Sequence, residues 1–288
     1  MKRTIYHITV IAAIAMVSCG VEQNETEIPV AATEINQEEA VPEESPEELL
    51  KQAYQQFKEG NDEASIQLAN KVMLIGRKTN NYDLIGNALA SLCRNSQRSQ
   101  DTTRLAELSQ QLVKLSELSG DQKWMMKRAH MNAEMWRLIG NMDRAEAFYD
   151  ESMRISFEIN ATGMYTIDHF NKSFVSTAKG DFETARELIS KYYELRKEAD
   201  PTSEDAYGLI ALAYLLEQEE DYQGAHEVAV VTRRLFKEQN LFPEPPDEKP
   251  LLMVEAKVVE MLTSEGQEQI RAASLTQSVT SLVEKYLK

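Results

Sequence analysis

The chain has 288 residues, of which 47 are acidic and 31 are Lys or Arg, so its formal net charge at pH 7 is -16. A surface this acidic repels nucleic-acid phosphates, which excludes nucleic acid as a partner unless a local basic patch overrides the net charge. Gly and Pro are few and Leu, Ala, Glu, Gln and Lys are abundant, so the composition predicts helix almost throughout a chain long enough for one large domain or two small ones.

The N-terminal segment has the anatomy of an export signal. Lys2 and Arg3 precede a mostly apolar stretch at 5–17, which is too short to cross a bilayer, where about 20 apolar residues are needed. Small residues and a cysteine follow at once in the sequence MVSCG at 16–20. This sequence resembles the lipobox of bacterial lipoproteins.

The lipobox resemblance implies that residues 1–18 are a lipoprotein signal peptide and that the thiol of Cys19 receives a diacylglyceryl group. Met16 departs from the Leu that the family usually has at that position. Ordinary signal cleavage near Gly20 and an uncleaved anchor remain as alternatives, and all three export the protein. We therefore expect a lipid-anchored protein of the cell envelope. In a diderm host the outer-membrane or periplasmic side is favoured, because the residue after Cys19 is Gly20 and not the Asp that resembles an inner-membrane retention signal. In any other host we expect the cell surface.

Residues 19–45 are predicted to be an acidic, disordered tether. Between Gly20 and Ser45 there is no Lys, Arg or aromatic residue, while Glu and Pro are frequent. Such a segment cannot bury enough apolar surface to offset the entropy cost of ordering it. As a flexible coil of about 25 residues it would span on the order of 25–30 Å, enough to hold a domain clear of lipid headgroups.

A related six-residue segment recurs every 40 residues. It reads GNDEAS at 60, QDTTRL at 100, GNMDRA at 140, GDFETA at 180 and EDYQGA at 220. The residue seven positions before each segment is small, namely Ala53, Cys93, Ala133, Ser173 and Ala213. After each segment, two apolar columns seven residues apart lie on one face of a helix, beginning at Leu68 and Ile75 in the first repeat. The pattern predicts a helix on each side of each segment, in close contact at the small residues.

These repeats resemble the tetratricopeptide repeat (TPR). The family has a small residue in its first helix, a turn of the type G-[DN]-[FYM]-x-x-A, and a small residue that begins its second helix. Ala145, Ala185 and Ala225 occupy the last position, Ser65 keeps it small, and Leu105 departs from it. The 40-residue period is also longer than the usual 34, which implies helices about one turn longer.

The resemblance implies an all-α fold, a TPR-like α-solenoid of about six antiparallel helix pairs with an extended 40-residue period. Residues 46–240 would form five TPR-like repeats, and 241–288 would form a capping helix pair of the kind that solenoids require. The two cap helices are predicted at 249–264 and 267–287. The second would place five apolar residues on one stripe: Leu275, Val279, Leu282, Val283 and Tyr286.

No catalytic motif accompanies this regular pattern, so we expect a protein that is not an enzyme and has no cofactor. The sequence contains no G-x-S-x-G, H-E-x-x-H, P-loop, C-x-x-C or dinucleotide glycine motif. His130, His169 and His226 are scattered over three repeats, so no metal site is expected. Cys93 falls in the small-residue column, which favours a buried structural thiol over a nucleophile.

In the TPR family the first helices line the inner, concave surface, and the resemblance implies a partner-binding groove there. Our candidate groove residues are Asn87, Arg94, Lys127, His130, Glu134, Arg137, Phe170, Phe174, Tyr207 and Tyr214. The early repeats present polar and basic residues and the late repeats aromatic ones, so we expect a protein or peptide partner with an acidic and an apolar part. The alternative is that Phe170 and Phe174 belong to the core, because i and i+4 apolar pairs are typical of a buried face.

The sequence thus favours an envelope-anchored scaffold that mediates protein–protein interaction through the groove and is held to the membrane by the lipid on Cys19. A lipoprotein that captures a peptide or glycan for uptake or sensing is the first alternative. A solenoid with a hydrolytic carboxylate is the second, and it would need a paired, desolvated Glu in a deep pocket.

Overall fold

The structure, a computed structural model, describes residues 44–202, 205–241, 243 and 245–288. The predicted signal peptide, Cys19 and nearly all of the predicted tether lie outside these residues. Within them the chain forms thirteen α-helices and no strand. The helices are α1 (Pro46–Lys58), α2 (Asp62–Lys78), α3 (Tyr82–Arg98), α4 (Thr102–Ser119), α5 (Lys123–Leu138), α6 (Met142–Glu158), α7 (Thr162–Ala178), α8 (Phe182–Ala199), α9 (Gly208–Gln218), α10 (Tyr222–Glu238), α11 (Pro245–Met261), α12 (Ser264–Ser274) and α13 (Val279–Tyr286).

The helices pack in chain order as an α-solenoid. From α1 to α11 each helix packs against the next one, and α12 returns to pack on α10. The first helices of successive pairs also contact one another, so that α1, α3, α5, α7, α9 and α11 form a continuous row, called the inner row below. The predicted all-α solenoid of about six helix pairs is therefore confirmed, with α13 as an additional short helix.

The recurring segment is a left-handed turn followed by a helix cap. Its first residue has a positive φ in all five copies: 82° at Gly60, 56° at Gln100, 83° at Gly140, 77° at Gly180 and 66° at Glu220. A left-handed residue is a common way to end a helix. From the second copy onward, the Asp or Asn that follows accepts the backbone N–H three residues later, as Asp181 does from Thr184. One dipeptide therefore ends one helix and begins the next.

The small-residue columns lie where the helices touch. Ala53, Cys93, Ala133, Ser173 and Ala213 are all completely buried, and so are the residues that begin the second helices, Leu105 included. Leu105 departs from the small residues typical of its column but is accommodated in the core around α4. Burial raises the pKa of the Cys93 thiol to about 12, as expected for a structural thiol rather than a nucleophile.

Two apolar cores flank a polar middle. The N-terminal core extends from Leu49 to Met135, and the C-terminal core extends from Phe170 to Leu282. Between them lies a small cluster of Ala133, Ala145, Tyr149 and Val175. Several polar side chains are also buried in this middle region, on α5, α6 and α7. The candidate site is built on them.

The C-terminal end differs from its prediction. The helix predicted at 267–287 is two helices, α12 and α13, because Ser278 and Ser281 form a reciprocal capping box that begins a new helix. Leu275 therefore leaves the predicted stripe and is 59% exposed, whereas Val279 and Leu282 are buried. Periodicity alone missed the break, because serines at these positions are also compatible with a continuous helix.

Candidate functional site

A cavity of about 750 Å³ opens on the inner row. Its wall includes residues of α1, α3, α5 and α7, with further residues from the end of α8, the segment before α9 and the start of α11. Five of the ten predicted groove residues line it: Arg94, His130, Glu134, Phe170 and Tyr207. The first helices thus line a cavity whose wall combines apolar and charged side chains.

The other five predicted groove residues do not line this cavity. Lys127 donates a 2.9 Å hydrogen bond to Asn87, and its ammonium lies 5.0 Å from the ring centre of Trp124. Arg137 and Phe174 are buried against each other, with the guanidinium 5.0 Å from the ring centre. Tyr214 is partly buried and packs on the C-terminal core.

The alternative that Phe170 and Phe174 belong to the core fits their burial. Phe170 is 6% exposed and Phe174 is 3% exposed, and both belong to the C-terminal core. The two rings contact edge to face with their centres 5.0 Å apart. Phe170 also lines the cavity, so it is both a core residue and part of the cavity wall.

One buried polar network fastens α5 to α7. Nδ1 of His130 lies 2.7 Å from Oδ1 of Asp168, and the Ser152 hydroxyl donates a 2.6 Å hydrogen bond to Oδ2 of the same carboxylate. Asp168 is completely buried. Burial lowers the pKa of His130, but the hydrogen bond and charge of Asp168, with the charge of Glu134, outweigh it and hold this pKa above its ordinary value.

A second buried network lies one turn further along α5. Arg137 donates a 2.8 Å hydrogen bond to Glu134, whose other oxygen accepts the hydroxyl of Tyr149. Asp247 at the start of α11 lies 3.6 Å from the same guanidinium. Burial raises the pKa of Glu134, but Arg137, His130 and the Tyr149 hydrogen bond outweigh it and lower this pKa below its ordinary value. The carboxylate is therefore held ionised, and the network links α5 to α6 through Tyr149 and to α11 through Asp247.

Arg94 occupies a different environment from these paired charges. Its guanidinium lies 5.0 Å from the ring centre of Tyr54 and 5.7 Å from that of Phe57. Among the residues that the structure describes, no carboxylate lies within ion-pair distance of it. At another part of the wall, Arg196 is paired with Asp205 at 2.6 Å. Of the two arginines that line the cavity, Arg94 is therefore the one that has no carboxylate partner among the described residues.

The sequence reasoning missed several residues of the wall, including Tyr54, Asn171, Arg196 and Asp247. Tyr54 could have been found, because it stands six residues before the first turn, the same position as Arg94 before the second. Asn171 and Asp247 follow no column of the repeat. Their place at the cavity depends on how distant helices pack together.

The part of the chain that the structure describes contains no group of three His, Cys, Asp or Glu side chains placed to hold a metal ion. No helix in it is both long enough and apolar enough to cross a bilayer. No protein-family model matches the sequence, and no curated protein is significantly similar to it.

Proposed function

We propose that this chain is a TPR-type scaffold of the cell envelope that binds a protein partner by taking a peptide segment of it into the inner-row cavity. The observation that carries the proposal is the cavity itself. Its volume of about 750 Å³ lies in the usual range of ligand sites, and its wall combines apolar, aromatic and charged side chains. Aromatic residues and Arg are enriched among the residues that dominate binding energy, as Tyr54, Tyr207 and Arg94 would do here.

The charges of the site favour binding over hydrolysis. A general acid needs a raised pKa, whereas the buried Glu134 is paired with Arg137 and its pKa is lowered. The Glu134 carboxylate is therefore held ionised beside Arg137, which disfavours it as the general acid of a hydrolytic solenoid. Its hydrogen bonds instead join α5 to α6, and Arg137 extends the network to Asp247 at the start of α11.

Ile167 provides a test of the cavity with little risk to the fold. It is 45% exposed and lines the cavity on α7. Ile167→Glu is expected to abolish capture of the partner in a crosslinking pull-down from intact cells, because it adds a charge to the apolar wall. Leu74→Glu is the matched control, since Leu74 is 42% exposed on α2, away from the cavity. Equal capture by the two variants would contradict the proposed binding surface.

A second candidate is a lipoprotein that captures a peptide or glycan for uptake or sensing. The aromatic part of the cavity wall favours it, since the rings of Tyr54, Phe170, Tyr192 and Tyr207 all contribute. The same pull-down separates the two candidates. A protein band lost in Ile167→Glu supports the scaffold, whereas no captured protein with either the unchanged chain or Leu74→Glu favours the ligand-binding lipoprotein.

We propose further that the lipid on Cys19 anchors the chain and that residues 19–45 supply its reach. This proposal rests on the lipobox resemblance and on the composition of the segment. Cys19→Ala is expected to release into the soluble fraction a protein that still melts cooperatively, because it removes both acyl chains of the diacylglyceryl group and each buried CH₂ is worth about 0.8 kcal/mol to membrane binding. Fractionation with immunodetection checks this, and full membrane retention of the variant would contradict the lipid anchor.

A further inference from the structure

The helix α11 begins a helix pair that α12 does not complete. In the five pairs before it the first helix packs against the second, but α12 packs on α10 instead of covering α11. The column of small residues that runs from Ala53 to Ala213 is completely buried. The next residue in that column, 40 positions after Ala213, is Met253, and it is 48% exposed. The face of α11 that a second helix would cover is therefore open.

The open face of α11 is apolar. Leu252, Ala256 and Val259 are exposed and are spaced at i, i+4 and i+7, so they form one stripe, called the α11 stripe below. The opposite face of the helix is buried in the C-terminal core through Leu251, Val254 and Val258. Four large apolar residues of α11 are exposed, whereas no other described helix has more than two. A helix that is apolar on both sides is typical of one that is covered on both sides, which makes the α11 stripe a contact surface.

Opposite charges stand at the two ends of the α11 stripe. Lys249 at its start is exposed and has no ion pair with any residue that the structure describes. Glu260 at its end pairs with Lys257 of the same helix at 3.0 Å, and its side chain remains 66% exposed. Glu248 and Glu255, beside the stripe, are held by ion pairs of 2.8 and 2.7 Å to α10. The stripe is therefore basic at one end and acidic at the other, so it is complementary to its own reversed copy.

We propose that the α11 stripe binds the α11 stripe of a second copy of this chain, with the two helices antiparallel. Leu252 of each copy then packs on Ala256 of the other, and the small side chain of Ala256 lets the helices approach closely. The same register places Lys249 of each copy opposite Val259 of the other and so beside Glu260, because both pairs of positions are centred on 254. A parallel arrangement would instead place Lys249 against Lys249. One contact repeated by a two-fold axis closes a dimer, the commonest symmetric assembly.

The size of the contact indicates a reversible dimer. The helix α11 has 17 residues and is about 25 Å long. A contact between two such helices is smaller than the roughly 800 Å² per partner of a standard stable interface. No residue of the α11 stripe lines the inner-row cavity, so the dimer leaves the cavity open. The inference is therefore independent of the proposed peptide binding.

Charge reversal tests the antiparallel pairing. Two differently tagged copies of the full chain are produced in the same cells and crosslinked there, one is captured through its tag, and the other is detected with an antibody. Lys249→Glu in both copies, or Glu260→Lys in both, is expected to lower this co-capture about tenfold, because like charges then meet at both ends of the contact. Lys249→Glu in one copy with Glu260→Lys in the other restores two attractive pairs and should recover the co-capture. Loss without recovery, or no loss in either single reversal, would overturn the pairing.

Val259→Lys tests the apolar part of the contact. Val259 is 67% exposed in the last turn of α11, so the variant should melt like the unchanged protein while its co-capture falls at least tenfold. Leu118→Lys is the matched control, since Leu118 is 51% exposed in the last turn of α4 and its replacement should leave co-capture unchanged. Equal co-capture by the two variants would overturn the dimer. So would an unchanged chain that captures no second copy but captures a different protein that Val259→Lys loses, because the α11 stripe would then bind that protein.

Discussion

Replacing Arg137 by Met is expected to lower the free energy of unfolding by about 3–5 kcal/mol. The substitution removes the charge that compensates Glu134, which is 8% exposed and keeps only the Tyr149 hydroxyl as a hydrogen-bond partner. Asp247 loses its nearby guanidinium at the same time. A buried, unpaired carboxylate is among the most costly defects that one substitution can introduce. Urea denaturation followed by circular dichroism measures the change.

The matched control is Arg154→Met. Arg154 also pairs with a Glu on its own helix, Glu158 at 2.7 Å, but the two side chains are 60% and 47% exposed. An exposed pair contributes at most about 1 kcal/mol, so this variant should unfold almost like the unchanged protein. Removing both charges with Glu134→Leu and Arg137→Met should recover part of the loss, since no buried Glu134 carboxylate remains. Equal effects of Arg137→Met and Arg154→Met would show that the buried network does not stabilise the fold.

The second large effect is expected at Gly86 on α3. A Cβ at this position would lie 2.3 Å from the ring of Trp124, which is 1% exposed on α5 and has no room to move away. Alanine normally gains up to about 1 kcal/mol over Gly within a helix. Here we expect Gly86→Ala to destabilise the protein by about 1–3 kcal/mol, because overpacking outweighs that gain. The melting temperature and Trp fluorescence report the change.

Gly163→Ala is the control for helix propensity. Gly163 lies in the first turn of α7, and an added Cβ would meet no atom within 4 Å. This variant should be neutral or more stable by up to about 1 kcal/mol. A stabilising Gly86→Ala would mean that α3 and α5 can separate at little cost, contrary to the close packing at Trp124.

The repeat framework could be predicted from the sequence because the same helix–helix contact recurs in every repeat. Ala53, Cys93 and Ala133 share one column and one environment, so a pattern of small residues was enough to locate helix contacts. The C-terminal cap has no counterpart among the repeats, so no recurring pattern marks its helix boundaries. The break between α12 and α13 is set by the local capping box of Ser278 and Ser281, which no periodicity reports.

The site was predicted only in part. The helix positions that the TPR resemblance assigns to the groove include Arg94 and His130, which do line the cavity. They also include Arg137, which is buried in an ion network. Its partner Asp247 lies 110 positions further along the chain, in the predicted cap, and Asp168 stands outside every column. Pairing of polar residues between repeats depends on three-dimensional packing, and one sequence contains no signal for it.

The two buried networks determine more than stability. They join α5 to α7 through His130 and Asp168 and α5 to α11 through Arg137 and Asp247, and all three helices contribute residues to the cavity wall. Hydrogen bonds and ion pairs are directional, so they hold these helices at set distances. A ligand therefore meets a cavity whose wall is already ordered. Little conformational entropy remains to be lost on association, and more of the contact energy is retained as affinity.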